Sequence, residues 1–138
     1  MIPEPLRDML KQGMGITDED LDRMSPGLQK LMSAAPQMMG NKIIAEITDA
    51  KYCAAGVKPG DKIVVGPGPN VNAQESTCPL CIGILGRLMP RVHEIWARMA
   101  EGLDPNEMVW KYGECYDPGL EHGGLGKVHF KFYVEKAG

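Results

Sequence analysis

Alternating apolar and polar positions mark the last part of the chain. The apolar members of this pattern are Val128, Phe130, Phe132 and Val134. A period of two predicts a strand with one buried face over residues 127–135. A β-branched run at 43–48 predicts a first strand, and Lys62–Val65 predicts a second strand antiparallel to it, because turn chemistry separates the two. With a further short strand at 109–112, these segments predict a small antiparallel sheet.

A longer pattern with helical spacing lies between the predicted strands. Pro79 suits the first position of a helix, and Pro105 lies beyond its end, so we predict one main helix from Pro79 to about Gly102. Pro90 lies inside this helix and predicts a kink there, or two helices that meet. The predicted core face recurs at intervals of four and three residues and consists of Cys81, Leu85, Leu88, Val92, Ile95 and Met99.

The first 40 residues carry a different pattern. Glycines and prolines divide residues 3–39 into three short helical pieces, and Thr17 is placed to cap a helix that begins at Asp18. We therefore predict two units, a helical N-terminal arm at 1–40 and a Cys-containing α+β domain at 41–138. The predicted fold class is α+β, with a small antiparallel sheet packed against one long helix, either straight or kinked at Pro90, and with a helical N-terminal arm.

Composition and charge exclude several classes of function. The chain has 138 residues, of which 43% are hydrophobic and 24% charged, and its formal net charge is -3, which is ordinary for a globular protein. It lacks a basic stripe, so we expect no nucleic-acid partner. It also lacks the roughly 20 consecutive apolar residues of a membrane span and a signal-peptide pattern, so we expect a cytoplasmic protein that does not bind membranes.

Four cysteines carry the main candidate chemistry. Because the cytoplasm keeps thiols reduced, they indicate metal binding, thiol chemistry or simple packing rather than a disulfide framework. In the metal interpretation the four sulfur atoms bind zinc or iron, with an iron-sulfur centre as a further alternative and His122 as a substitute ligand. The predicted metal ligands are Cys53, Cys78, Cys81 and Cys115.

The thiol-chemistry interpretation depends on the motif Cys78-Pro79-Leu80-Cys81. At the start of a helix, the thiolate of Cys78 would be stabilised by the positive helix end. Thioredoxin-like proteins place such a motif directly after a buried strand, whereas polar and turn residues precede this one. In the packing interpretation all four thiols are reduced, and Cys81 packs beside the helix leucines as a small apolar side chain.

Several ionisable residues lie close to the cysteines along the chain. The candidate acids and bases are Asp61, Glu75, Glu114, Asp117 and His122. The glycine-rich run at 119–127 contains His122, but it lacks the glycine spacing of a phosphate-binding loop and leads into a strand instead of a helix. We predict a flexible loop there.

Two functions are compatible with these patterns. The first is a non-catalytic accessory or subunit protein with a cysteine-lined, metal-binding site. Its arm at 1–40 holds seven of the ten methionines and would either fold over its own sheet or bind a protein partner or a second copy of the chain. The alternative is a small enzyme that uses the Cys78 thiolate or a Cys-bound metal ion, assisted by Asp61, Glu114 or His122.

Three of the cysteines also carry a family resemblance. The pattern Cys53-x-x-Gly56-x-x-x-Gly60-Asp61, then Cys78-Pro79 opening a helix, then Cys115 before an aromatic last strand, resembles a widespread but functionally uncharacterised family of small bacterial and archaeal Cys-containing α+β proteins. The resemblance spans about residues 42 to 135. It implies a shared site at Cys53, Cys78 and Cys115, and it gives no reaction. The arm, Cys81 and the long glycine-rich run depart from the family pattern.

Overall fold

A five-stranded antiparallel sheet forms the centre of the protein, whose computed structural model describes residues 1–138. The strands are β1 (Asn41–Lys51), β2 (Lys62–Val65), β3 (Val71–Asn72), β4 (Tyr112–Glu114) and β5 (Lys127–Lys136). Their order across the sheet is β3-β2-β1-β5-β4, so β3 and β4 are the two edges. The antiparallel pairing of β1 with β2 and the alternation of β5 confirm three of the predicted strands.

The sheet buries one face because its strands alternate. Along β5, Phe130 and Phe132 are almost completely buried and meet edge to face with ring centroids 5.5 Å apart. On β1, Ile47 lies opposite Phe130, and an irregularity then brings Asp49 opposite His129. Because this bulge inserts one residue, the later part of β1 changes which of its side chains face the core.

Helix α5 (Ile82–Ala100) covers this apolar face. Its buried side chains are Ile84, Leu88, Val92, Ile95 and Met99, in agreement with most of the predicted core face. The helix continues through Pro90, which is exposed, so the alternative of two separate helices was wrong. It begins at Ile82 rather than Pro79, which places the whole Cys78–Cys81 motif before the first helical residue.

The N-terminal arm folds into four helices rather than three. They are α1 (Glu4–Met14), α2 (Asp18–Arg23), α3 (Pro26–Ser33) and α4 (Ala35–Met39). Thr17 caps α2 as predicted, since its Oγ1 accepts a hydrogen bond from the Asp20 backbone N–H at 3.1 Å. A second, smaller core holds the arm together and consists of Ile2, Leu6, Leu10 and Leu21. Helix α3 packs against α5, and α4 contacts β1, so the arm lies against the sheet domain.

The strand predicted at 109–112 lies later in the chain, because the side chain of Asn106 occupies the place of its first residues beside β5. Strand β4 is Tyr112–Glu114, and its ladder with β5 ends where the Lys111 carbonyl accepts from the Phe132 N–H. Beyond that point Asn106 takes the place of a strand partner, because its side chain accepts from the Val134 N–H at 2.7 Å and donates to the Val134 carbonyl at 3.0 Å.

No helix of the protein is both long enough and apolar enough to cross a bilayer.

Candidate functional site

Three of the four cysteines line one small cavity beside the start of α5. Cys53, Cys81 and Cys115 come from three separate segments and surround a volume of about 100 Å³, and none of the four cysteines forms a disulfide. The other lining residues include the small Ala54, Ala55, Gly83 and Gly126. A single water needs only about 10–15 Å³ of such space, so the cavity has room for several waters or for a coordinated ion.

Cys81 is the N-cap of α5. Its backbone is extended, and its carbonyl accepts from the N–H groups of Ile84 and Leu85, while its side chain caps no N–H group. The thiol is half-buried and borders the cavity. A Cβ on Gly83 would lie 3.7 Å from the Cys81 sulfur, so glycine keeps the space beside this thiol open.

Cys115 follows β4 and is held by β5. Its backbone N–H donates to the Val128 carbonyl at 2.9 Å, and its Sγ accepts from the Val128 N–H at 3.4 Å. The next residue, Tyr116, donates its N–H to the carbonyl of Gly83 at 3.0 Å, which ties this segment to the first turn of α5. Cys115 is buried, and its position is therefore set by backbone contacts on both sides.

Cys53 follows the end of β1, from which it is separated by one residue, Tyr52, with an unusual backbone conformation. Tyr52 has a φ of 53° and is the one residue other than glycine with a positive φ. Its carbonyl lies against Gly126, so closely that a Cβ on Gly126 would overlap it. Cys53 then opens a turn that closes with a hydrogen bond from the Gly56 N–H to the Cys53 carbonyl at 3.1 Å. Such backbone constraint is common beside functional sites.

Cys78 lies next to this group but does not line the cavity. It is buried, and its Sγ is 3.8 Å from the carbonyl of Lys62. Burial raises the pKa of the Cys78 thiol, and the negative charge of Asp61 raises that pKa further, with smaller contributions from Cys53 and Cys81. The predicted stabilisation of its thiolate by a helix end is not found, because Cys81 and not Cys78 adjoins α5.

Asp117 lines the cavity and organises the glycine-rich segment, of which Gly126 also lines it. Its carboxylate accepts from the backbone N–H groups of Gly119, Leu125 and Gly126 at 2.9, 3.0 and 3.1 Å. These hydrogen bonds lower the pKa of Asp117. A Cβ on Gly124 would overlap the same carboxylate, so the glycines allow the segment to wrap around it. Sequence reasoning named Asp117 as an acid but missed this anchoring role.

The remaining candidate acids and bases lie elsewhere. Asp61 is buried and anchors a turn, accepting from the Lys58 N–H at 3.0 Å and from the Thr77 hydroxyl at 3.3 Å. Glu75 is exposed and pairs with Lys42 at 2.8 Å. His122 is exposed in a 3₁₀ turn and borders a separate, open pocket of about 260 Å³. Of these, Asp61 alone is close enough to influence a cysteine.

Glu114 is also outside the cavity. It lies on β4, where its carboxylate is 3.3 Å from Lys127 Nζ and 3.6 Å from His129 Nε2. His129 lies in turn 3.5 Å from Asp49. Neither Glu114 nor His129 lines the cysteine cavity, although Lys127 Nζ donates to the carbonyl of Asp117, a lining residue, at 2.7 Å.

The four thiols are ligands suited to a soft metal ion, but their side chains are not arranged around a common point. No set of three or more cysteine, histidine, aspartate or glutamate side chains is arranged to hold a metal ion. The sulfur atoms are nonetheless concentrated around one cavity and its margin, and thiolates are ligands that zinc and iron prefer.

Comparisons with protein-family models, with curated proteins and with solved structures found no match. The family resemblance therefore stays an expectation, and the functional argument depends on the residues of this chain.

Proposed function

We propose that the protein is a non-catalytic accessory or subunit protein that binds a thiophilic metal ion, zinc or iron, through its cysteines. The observation that carries the proposal is the convergence of Cys53, Cys81 and Cys115, from three separate segments, around one cavity with Cys78 at its margin. Cys78 and Cys115 belong to the main core, and Cys53 and Cys81 pack against it, but packing alone gives no reason for three of these thiols to border open space.

Metal binding requires the thiols to move and to lose protons. Zinc-sulfur bonds are about 2.3 Å long, so the sulfur atoms must draw closer together than they lie in the free protein. The small side chains of Ala54 and Ala55 and the glycine at 83 border the space in which they would meet. Because each bound thiol releases a proton and the pKa of Cys78 is raised, the affinity should increase with pH.

Elemental analysis of protein purified without oxygen tests the proposal. We expect about one zinc or iron ion per chain, and we expect cobalt(II) added to the metal-free protein to produce a thiolate-to-cobalt absorption band at one equivalent. Replacing Cys81→Ser should abolish this band without unfolding the protein, because serine is a favoured N-cap residue. His122→Ala is the matched control, since His122 lies outside the cavity and its loss should leave the band unchanged.

A metal content far below one per chain, together with no cobalt band, would contradict the proposal. A band that survives Cys81→Ser, or one that disappears with His122→Ala, would contradict the proposed set of ligands, since His122 lies outside the cavity.

The alternative function, a small thiol enzyme, is favoured by one observation. Cys81 is half-buried, borders the cavity and immediately precedes a helix of 19 residues. The raised pKa of Cys78 argues against the Cys78 thiolate as the nucleophile. Iodoacetamide labelling of the metal-free protein, with each cysteine followed by mass spectrometry, separates the two functions. Faster reaction at Cys81 than at a cysteine of the unfolded chain would support the enzyme, and uniformly slow reaction would remove it.

For the arm we propose a role in assembly. Met9 and Met14 of α1 are 63% and 61% exposed, although α1 buries Leu6 and Leu10 on its other side. Light scattering of the full chain over a range of concentrations should therefore detect a species larger than 15.1 kDa. Met9→Glu combined with Met14→Glu should reduce that mass to the monomer, whereas Met89→Glu, an equal change at an exposed methionine of α5, should not. A monomer at every concentration would contradict self-association.

A further inference from the structure

The outer edge of β4 is open to another strand. β4 is the last strand of the sheet and pairs only with β5. At its two ends, the Lys111 carbonyl accepts a hydrogen bond from the Phe132 N–H, and the Cys115 N–H donates to the Val128 carbonyl. Because ladder bonds of an antiparallel pair alternate along the strand, the backbone N–H and carbonyl groups of Tyr112 and Glu114 point away from β5. An extended peptide could pair with these groups and continue the sheet.

A positively charged pocket lies beside this edge. It has a volume of about 240 Å³ and lies between α5, which contributes Arg87, Pro90 and Arg91, and β4. Gly113 also lines the pocket, and only glycine fits at this position because a Cβ would lie 2.7 Å from the ring of Phe130. Since Phe130 is completely buried, that ring cannot give way to a side chain at 113.

The arginines of this pocket are incompletely paired. Arg91 Nε is buried and has no hydrogen-bond partner, and the Nη1 of the same side chain is 3.7 Å from Glu94. Arg87 has its guanidinium carbon 4.7 Å above the ring of Tyr116 and forms no ion pair with a carboxylate. A carboxylate that enters the pocket would pair with the accessible ends of these guanidinium groups, and such pairs are often bidentate.

The acid that already borders the pocket does not supply this partner. Glu114 is the one carboxylate among the lining residues, and it is engaged with Lys127 and His129. The lining residues therefore carry two positive charges against one negative charge, and this excess complements a negatively charged ligand.

Exposed apolar side chains continue the same edge. Val109, Trp110 and Tyr112 lie close together along the chain, and their exposed fractions are 78%, 67% and 62%. Tryptophan, tyrosine and arginine are the residues that most often dominate the binding energy of protein interfaces. Tyr112 lies opposite Lys131, on the face of the sheet turned away from α5, whereas the two arginines lie on the α5 side. The apolar and the arginine anchors therefore flank this edge, and alternate side chains of one extended segment could reach both.

We propose that β4 binds an extended segment of a partner protein that carries an aspartate or glutamate. The segment pairs with the backbone of Tyr112 and Glu114, its carboxylate binds Arg87 and Arg91, and its apolar side chains pack on Trp110. This interaction does not depend on the cysteine site or on the arm, so it can fail or hold independently of the proposed function.

A random heptapeptide library displayed on phage and selected against the immobilised full chain provides the probe. We expect the selected peptides to be enriched in Asp and Glu. A synthetic peptide of the selected sequence should bind about tenfold more weakly when Arg87→Ala and Arg91→Ala are combined, which is the change expected for loss of one charged hydrogen-bonded pair. Arg23→Ala is the matched control, since this arginine is 74% exposed on the arm and its loss should leave the affinity unchanged.

Amide hydrogen exchange identifies the surface that the peptide covers. On binding, the amides of Tyr112 and Glu114 should exchange more slowly than in the free protein. Failure to select any peptide, selected peptides without acids, an affinity unchanged by the arginine substitutions, or protection confined to other strands would each overturn the proposal. Concentration-dependent protection of the same two amides in the protein alone would also overturn it, because the occupant would then be a second copy of the chain.

Discussion

Replacing Gly126 with alanine should destabilise the protein and disturb the cysteine cavity. A Cβ at this position would lie 2.7 Å from the carbonyl carbon of Tyr52 and 2.9 Å from the carbonyl oxygen of Lys51, and it would overlap the carbonyl oxygen of Tyr52. These are backbone atoms, so no rotamer change relieves the contact. Tyr52 already has a positive φ, and any shift of its backbone moves the adjoining Cys53.

The size of the effect follows from the distances. Nonbonded carbon atoms prefer separations of about 3.5–4.0 Å, so the strand end must shift by roughly 0.8 Å. Overpacking of this kind costs about 1–3 kcal/mol. With an unfolding entropy of about 2.1 cal/mol/K for each of the 138 residues, the midpoint of thermal unfolding should fall by about 3–10 °C.

Thermal unfolding followed by far-ultraviolet circular dichroism measures this shift. Gly86→Ala is the matched control, because Gly86 lies inside α5 with no atom within 4 Å of an added Cβ. Alanine there should stabilise the helix by about 0.5–1 kcal/mol and raise the midpoint. A Gly126→Ala protein that melts at or above the wild-type midpoint would refute the reasoning. In the same variant Cys53 should be alkylated faster than in the wild type. This result would show that the contact between Gly126 and Tyr52 also positions Cys53 at the cavity.

Four smaller predictions follow from individual side chains. The folded pKa of Asp117 lies below its ordinary 3.8, so its contribution to the free energy of unfolding is complete above about pH 4 and is lost as the pH falls through the folded value. Asp117→Asn should therefore flatten the acid side of a stability-against-pH curve measured by urea unfolding. Burial, and then hydrogen bonding to Glu46, raise the pKa of Tyr133 to about 12, so Tyr133→Phe should reduce the loss of stability above about pH 10. Glu46→Gln should lower the tyrosine pKa in an ultraviolet titration. In metal-free protein the raised pKa of the Cys78 thiol should make it react with iodoacetamide more slowly at neutral pH than a cysteine of the unfolded chain, and equal rates would contradict its burial. Thr17→Ala removes the cap of α2 and should lower the free energy of unfolding by about 1 kcal/mol in urea titrations.

The sheet and the main helix could be predicted because local patterns determine them. The alternation on β5 and the helical spacing of Leu88, Val92 and Ile95 follow directly from which side chains must be buried. The strand at 109–112 could not be located in the same way. Its position depends on the side chain of Asn106, which bonds both backbone groups of Val134 and so ends the ladder, and this contact joins residues 28 apart in sequence.

The start of α5 was mispredicted for a similar reason. Pro79 has the chemistry of a first helical residue, but the preceding chain is held along β2, where the Thr77 N–H donates to the Lys62 carbonyl and the Thr77 hydroxyl accepts from the Lys62 N–H, both at 2.9 Å. Residues 79–81 are needed to carry the chain from that edge to the helix. Tertiary pairing therefore overrides local helix preference, and it moves Cys81 from the helix face to the cavity.

The cavity itself depends on contacts that spacing along the chain cannot reveal. Cys53 is positioned through the contact of Tyr52 with Gly126, Cys115 through its bonds to Val128, and the first turn of α5 through the bond from Tyr116 to Gly83. Three distant segments therefore meet only in the folded chain. An ion bound by their thiols, as proposed, would bind the folded state in preference to the unfolded one and would raise the unfolding midpoint in proportion to the logarithm of its free concentration. Cys81→Ser should remove this dependence on metal while leaving the metal-free midpoint unchanged or slightly higher, because serine caps α5 better than cysteine does.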